Sequence, residues 1–255
     1  MNRNCCAALI SAWAATCPVG HAHADGAPER LAVTATLAAT SDYVYRGISL
    51  RDEKPTPLIF LEASYGIFYA NALLIGTVLG EDALGRSLGR TEADATFGIA
   101  PTVGNVDFNI GVKFTGYPDG RDLVIGTLDK AERDFWEPFA GATAHVSDTA
   151  TIGATVYWTP NYYYETDDVV TLELQGGLAL PALGSLTSKV TATAGKVWSA
   201  ERDAASPGHG YLFYNAGVEA RVDQMIFDLR YWNTDVQNVD GYEQRVVLSV
   251  GVALK

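Results

Sequence analysis

Cysteine is confined to the first 17 residues of this 255-residue chain, as Cys5, Cys6 and Cys17. That stretch reads as an export leader. Arg3 precedes mostly apolar residues from Cys5 to Val19, and Ala22-His23-Ala24 puts small residues at the two positions a signal peptidase reads. Cleavage is expected after Ala24, leaving a signal peptide over 1–24 and one domain over 25–255. Lipoprotein processing before Cys17 is the rival, but Thr16 is a poor residue to precede a lipidated cysteine, and Ala14 a weak one three before it. A chain cut after Ala24 carries no disulfide, thiol nucleophile or thiolate metal site. Its stability must come from architecture.

Basic charge is scarce as well, with 18 Lys and Arg against 30 Asp and Glu. Losing Arg3 with the leader leaves 17 against 30, a net charge of −13. A basic nucleic-acid surface is thereby excluded, and no nucleic-acid partner is expected. Beyond the leader there is no apolar run of roughly 18 residues, so no transmembrane helix is expected. Chemical motifs are equally sparse. Downstream of Ala24 the histidines are His145 and His209, which share no short spacing, and no metal or other cofactor is expected. No nucleophile elbow frames a serine, and phosphate-cradling, dinucleotide and calcium-loop patterns are missing. No catalytic residue is assigned and the chain is not read as an enzyme.

Apolar residues, by contrast, make up 48 % of the sequence, and they are arranged with period two. In Val106-Asp107-Phe108-Asn109-Ile110-Gly111-Val112-Lys113-Phe114 every even position is large and apolar and every odd one polar or Gly. The same alternation runs through 150–158 and 170–175, and through Val246, Leu248, Val250, Val252 and Leu254. A strand has one wet and one greasy face under this pattern; a helix cannot use it. It predicts strands at about 31–47, 58–65, 67–79, 91–100, 105–116, 134–146, 149–159, 169–180, 185–197, 211–222, 225–233 and 243–254. Most have about 10–14 residues, enough to cross a bilayer at a tilt.

Connections alternate in length. Short turns fall near Gly66, Pro101–Gly104, Ser147-Asp148, Pro181–Gly184 and Asp223-Gln224, and longer polar loops at 48–57, 80–90, 117–133, 160–168, 198–210 and 234–242. Short periplasmic turns and long external loops characterise outer-membrane barrels. The expected fold class is therefore all-β: a single antiparallel up-and-down transmembrane barrel of about 12 strands. Aromatics gather beside the long loops. Tyr43, Tyr45, Trp136, Trp158, Trp198 and Tyr231 are expected to form an external girdle, joined by Trp232, Tyr157, Tyr162, Tyr163, Tyr164 and Tyr211.

Polar faces must then point inward, because an isolated charge against hydrocarbon costs about 2–4 kcal/mol at mid-depth. The expected lumen residues are Asp42, Arg46, Glu62, Glu92, Asp94, Asp107, Asn109, Lys113, Glu173, Gln175, Lys189, Asn215, Glu219, Arg221, Asp228, Arg230, Glu243 and Arg245, with His145 on the same side. Asp42 and Arg46 are read as sharing one face of one strand, roughly 13 Å apart and so unable to pair with each other, each pairing instead with a neighbouring strand. The last three strands are expected to form a charge ladder. A two-residue turn at Gln224-Met225 would set Arg221 opposite Asp228 and Glu219 opposite Arg230. The next hairpin would set Arg230 opposite Glu243 and Asp228 opposite Arg245.

The run Thr40-Ser41-Asp42-Tyr43-Val44-Tyr45-Arg46-Gly47-Ile48-Ser49, followed by Pro55, resembles the proteobacterial family of TorF-type porins, whose function is itself presumed. Trp158-Thr159-Pro160-Asn161-Tyr162 and Arg245-Val246-Val247-Leu248-Ser249-Val250 are weaker echoes of it. The resemblance implies an outer-membrane barrel and brings no substrate with it. The chain departs from many outer-membrane proteins in ending Ala253-Leu254-Lys255 rather than on an aromatic residue. The expected role is passive diffusion of small hydrophilic solutes, with a mild cation preference. Outer-membrane lipid, lipopolysaccharide and the barrel-insertion machinery are the expected partners. A closed structural or loop-binding barrel is the alternative, and a lipid-modifying barrel enzyme the third reading.

Overall fold

The structure, a computed structural model, describes residues 30–80, 87–120, 133–162, 167–199 and 210–254, with 123–125 and 129–131 as backbone alone. The leader and its cleavage site, Glu81-Asp82, Tyr163, Tyr164, His209 and Lys255 lie outside the described residues.

The alternating segments form twelve long strands: β1 (Ala32–Thr40), β2 (Thr56–Tyr65), β3 (Phe68–Gly76), β4 (Thr91–Ile99), β5 (Val106–Gly116), β6 (Phe135–His145), β7 (Ala150–Thr159), β8 (Val169–Leu183), β9 (Leu186–Ser199), β10 (Leu212–Val222), β11 (Met225–Thr234) and β12 (Arg245–Leu254). Each pairs antiparallel with the next, and β12 pairs with β1, as in Thr40 with Ser249. The sheet is closed, which removes the edges that hydrocarbon would leave unsatisfied. Both terminal strands start or finish at the end of the barrel that carries the short turns.

The expected strand over 31–47 ends early, at Thr40. There Thr40 Oγ1 donates to the Asp42 carbonyl at 2.7 Å, and the chain leaves the wall. The charge ladder is also not formed. Glu219 faces Asp228, and the turn is Asp223-Gln224, one residue earlier than expected. On the other side Arg230 faces Val247 and Trp232 faces Arg245. Asp223 adopts φ 54°, a conformation that Asp tolerates better than most residues. The like charges that this register opposes are neutralised elsewhere. Arg221 contacts Glu219 at 2.8 Å and Arg230 contacts Asp228 at 3.0 Å, each two residues along its own strand. Lys189, opposite Glu219 on β9, adds a contact at 3.5 Å. Residues two apart share a face about 7 Å apart, within reach of a bent arginine.

The outward face is apolar along its length, including Leu174, Leu229, Ile152 and Leu248, each about half exposed. So much exposed aliphatic surface suits hydrocarbon rather than water. Leu229 is 54 % exposed at the middle of β11, opposite Leu248. Leu229→Arg is expected to cost about 2–4 kcal/mol of stability in lipid. Urea titration of protein refolded into vesicles measures this, and an unchanged midpoint would place that face away from the bilayer.

Candidate functional site: a hairpin across the bore

Residues 44–49 form a small hairpin inside the barrel, with Val44 paired to Ser49 and Tyr45 to Ile48. Its two-residue turn is Arg46-Gly47, at φ 48° and 87°. A turn with both central residues at positive φ suits glycine in its second position; an arginine in the first carries strain. Contacts on every side hold it there. At the base, Asp42 accepts from Ser49 Oγ at 2.9 Å and from Arg245 Nη1 on β12 at 3.1 Å. Leu50 accepts from the Val78 amide at 2.7 Å, and the Ser49 amide donates to the Gly241 carbonyl at 2.8 Å. Tyr43 Oη donates to Glu92 on β4.

The tip reaches the opposite wall. Arg46 Nη1 donates to Glu137 Oε2 on β6 at 2.8 Å, and Nε lies 3.8 Å from Glu173 Oε1 on β8. Its guanidinium also lies 4.8 Å from the ring centre of Tyr157 on β7. β7 is six strands round from β1, so the segment that leaves β1 crosses the full bore. Gly47 sits so close to β10 and β11 that a Cβ there would come 2.5 Å from Thr234 Cγ2 and 3.1 Å from Phe213 Cβ.

Around the tip the side chains form a buried ionic cluster. Lys113 on β5 lies 3.6 Å from Glu137 and 4.7 Å from the Tyr45 ring centre. Thr159 Oγ1 donates to Glu137 at 2.9 Å. Tyr45 Oη donates to it as well, at 3.4 Å, so Glu137 is held by one arginine, one lysine and two hydroxyls, and its side chain is 0 % exposed. Asp94, two residues along β4 from Glu92, is buried beside Lys113. Burial pushes the Asp42 carboxyl above its usual range, although the bonds from Ser49 and Arg245 pull the other way.

Apolar side chains also face inward, and they pack the hairpin to the wall. Tyr43 lies with Leu58, Phe60, Leu73 and Ile75, and Val44 with Phe213, Trp232, Tyr242 and Val247. Toward the short turns the bore is different. Its inward residues on β6 to β9 are small, including Gly141, Thr143, Gly153, Thr155, Gly177 and Thr191, and they are half-exposed. The hairpin and its packing fill the bore at their own level, and on β6 to β9 the small residues below it stay half-exposed.

Of the residues expected in the lumen, Arg46, Glu92, Asp94, Lys113 and Glu173 meet around the tip, and Asp42 and Arg245 meet at the base. Asn215, Glu219, Asp228 and Arg230 are buried further round. Glu62, Asp107, Asn109, Gln175, Lys189 and Arg221 are half-buried, and His145 Nε2 lies 2.7 Å from Asp107. Glu243 stands on the rim, since β12 begins only at Arg245, and its side chain is 52 % exposed. Asp42 and Arg46 do not share a strand face, because the wall ends before them. Trp136, Trp158, Trp198 and Tyr231 face outward at the long-loop end, as a girdle would. Tyr43 and Tyr45 do not belong with them: they are 1 % and 7 % exposed inside the barrel, carried there by the hairpin. Tyr157, Tyr211 and Trp232 are likewise inside. Glu137 was not anticipated, because Phe135 and Phe139 flank it on the same face. The signal was the outward Trp136 beside it.

The barrel is similar to solved membrane channels. An outer membrane channel from Pseudomonas putida F1 superposes with a TM-score of 0.55 at 11 % identity, covering 90 % of this chain and 97 % of that one. The NanC porin gives 0.51 at 10 % identity over 88 % and 100 % of the two chains. The KdgM porin gives 0.51 at 7 % identity over 88 % and 99 %. Identities this low speak to the fold alone. No curated protein matches the chain. A family described as a bacterial protein of unknown function, Gcw_chp, matches residues 24–251.

Proposed function

The chain belongs to the Gcw_chp family, and from its barrel we propose that it is an outer-membrane channel for small hydrophilic solutes, constricted by the 44–49 hairpin. The observation that carries this reading is the charged, hydrogen-bonded interior inside an apolar wall. A barrel of about eight strands is filled by side chains and 16–18 leave an open channel. Twelve strands leave a bore that one hairpin can span. The three solved barrels compared above are a channel and two porins, which supports the same reading, and the TorF-type kinship of residues 40–49 is part of it. Export by a leader cut after Ala24, insertion by the barrel machinery and contact with lipopolysaccharide complete the proposal.

The bore leans acidic. Facing it are Asp42, Glu62, Glu92, Asp94, Asp107, Glu137, Glu173, Glu219 and Asp228, nine acids, against Arg46, Lys113, Lys189, Arg221, Arg230 and Arg245, six bases. A surplus of three carboxylates attracts cations, less so at high salt. In a planar bilayer the refolded protein is expected to give small conductance steps, with a reversal potential in a KCl gradient that favours K⁺. Anion preference would contradict the charge reading. The hairpin itself favours one second reading, a closed barrel that only binds at its mouth. Absence of any step would decide for it.

A further inference from the structure

Above the hairpin, toward the long loops, lies a cavity of about 410 Å³, within the usual range for small-molecule sites. Five rings line it: Tyr45 on the hairpin, Tyr117 after β5, Phe135 at the start of β6, Tyr162 after β7 and Tyr242 before β12. They come from five separate segments and converge on one space. Its ionisable groups are Glu92, Lys113 and Asp240. The ammonium of Lys113 is already held, by Glu137 at 3.6 Å and by the Tyr45 ring. Glu92 accepts from Tyr43 and Tyr117, both uncharged donors, and shares the Lys113 ammonium with Asp94 and Glu137. Neither carboxylate oxygen of Asp94, one step deeper on the same face of β4, has a hydrogen bond of good geometry among the described residues.

Aromatic rings combined with carboxylates that outnumber the cations beside them (Glu92, Asp94 and Glu137 around Lys113) select a ligand with an apolar, positively charged head. The negative faces of the rings and the carboxylate attract the charge, while alkyl groups fill the ring-lined space. An anion would meet the surplus of acids, and a neutral sugar could stack on the rings but would leave that charge unanswered. We infer that this cavity is a binding site for a small organic cation of the alkylammonium class. The inference rests on the channel reading for its part in passage, as the point where such a solute is captured before the hairpin. The binding itself does not depend on that reading.

Choline is the probe, titrated calorimetrically into the refolded full chain in detergent. Saturable binding is expected, with 3,3-dimethyl-1-butanol, its uncharged isostere, at least about tenfold weaker and glucose silent. Glu92→Gln keeps the bond from Tyr43 and removes only the charge; it is expected to weaken choline by about tenfold. Tyr162→Leu lies on a connecting loop outside the wall, so it tests the cage even if the Glu92 variant fails to refold, and it is expected to weaken choline severalfold. No choline binding, equal binding of the isostere, or preferential binding of glucose overturns the site. Conductance separates the two ideas. A protein that conducts but binds no choline retains the channel and loses this site; one that binds choline but never conducts retains the site and loses the channel.

Discussion

Glu137→Ala is expected to destabilise the folded barrel by about 3–5 kcal/mol, the usual cost of removing one partner of a buried ion pair. The loss should be larger than for Arg46→Ala. Glu137 is the shared acceptor of Arg46 at 2.8 Å, Lys113 at 3.6 Å and Thr159 at 2.9 Å, so its removal leaves two buried cations without their main counter-charge. Arg46→Ala leaves Glu137 still held by Lys113 and Thr159, and leaves the strain at φ 48° unchanged because alanine also carries a Cβ. The loss in the double variant should fall well below the sum of the two single losses, because Arg46 and Glu137 then leave together and neither strands the other. Urea unfolding midpoints of the three proteins in vesicles measure the cycle. Additive losses would show that the pair is not coupled and that Arg46 does not reach the far wall.

Gly47→Ala is expected to cost more than Gly66→Ala, although both glycines occupy the left-handed region, at φ 87° and 59°. Gly66 has nothing within 4 Å of an added Cβ, so alanine there meets only the conformational penalty, about 1 kcal/mol. At Gly47 the same Cβ would come 2.5 Å from Thr234 Cγ2, and overpacking of this kind adds about 1–3 kcal/mol. The difference between the two substitutions isolates the docking of the tip against β10 and β11. Equal losses would mean that the tip is not packed there.

The wall was legible in the sequence because period two, turn residues and loop lengths all pointed to the same object. Strands such as β5, β7 and β12 have one face that only lipid can accept, and that alone fixes which side chains turn inward. The hairpin was not legible for a local reason. Asp42-Tyr43-Val44-Tyr45 alternates like a continuation of β1, and the turn signal, Arg46-Gly47, is weakened by an arginine where Asn or Asp is usual. Mistaking it for wall placed Tyr43 and Tyr45 in the girdle and hid what Glu137 binds. The register of the closing strands failed because only directly opposite partners were weighed. The sequence repeats an acid, one residue and an arginine at 219–221, 228–230 and 243–245, and the structure pairs each acid with the arginine two residues on, within the strand in the first two and at the rim in the third.

The most direct test of the constriction is single-channel recording of the intact chain beside a variant in which residues 43–50 are replaced by a short glycine linker. Arg245 and Glu137 remain in both, and folding of each is checked by heat-modifiable migration. Conductance in the variant severalfold above that of the intact protein, with the wall still folded, is the result predicted. Equal conductance from two folded proteins would contradict it, since a segment that spans the bore cannot be removed without widening the path.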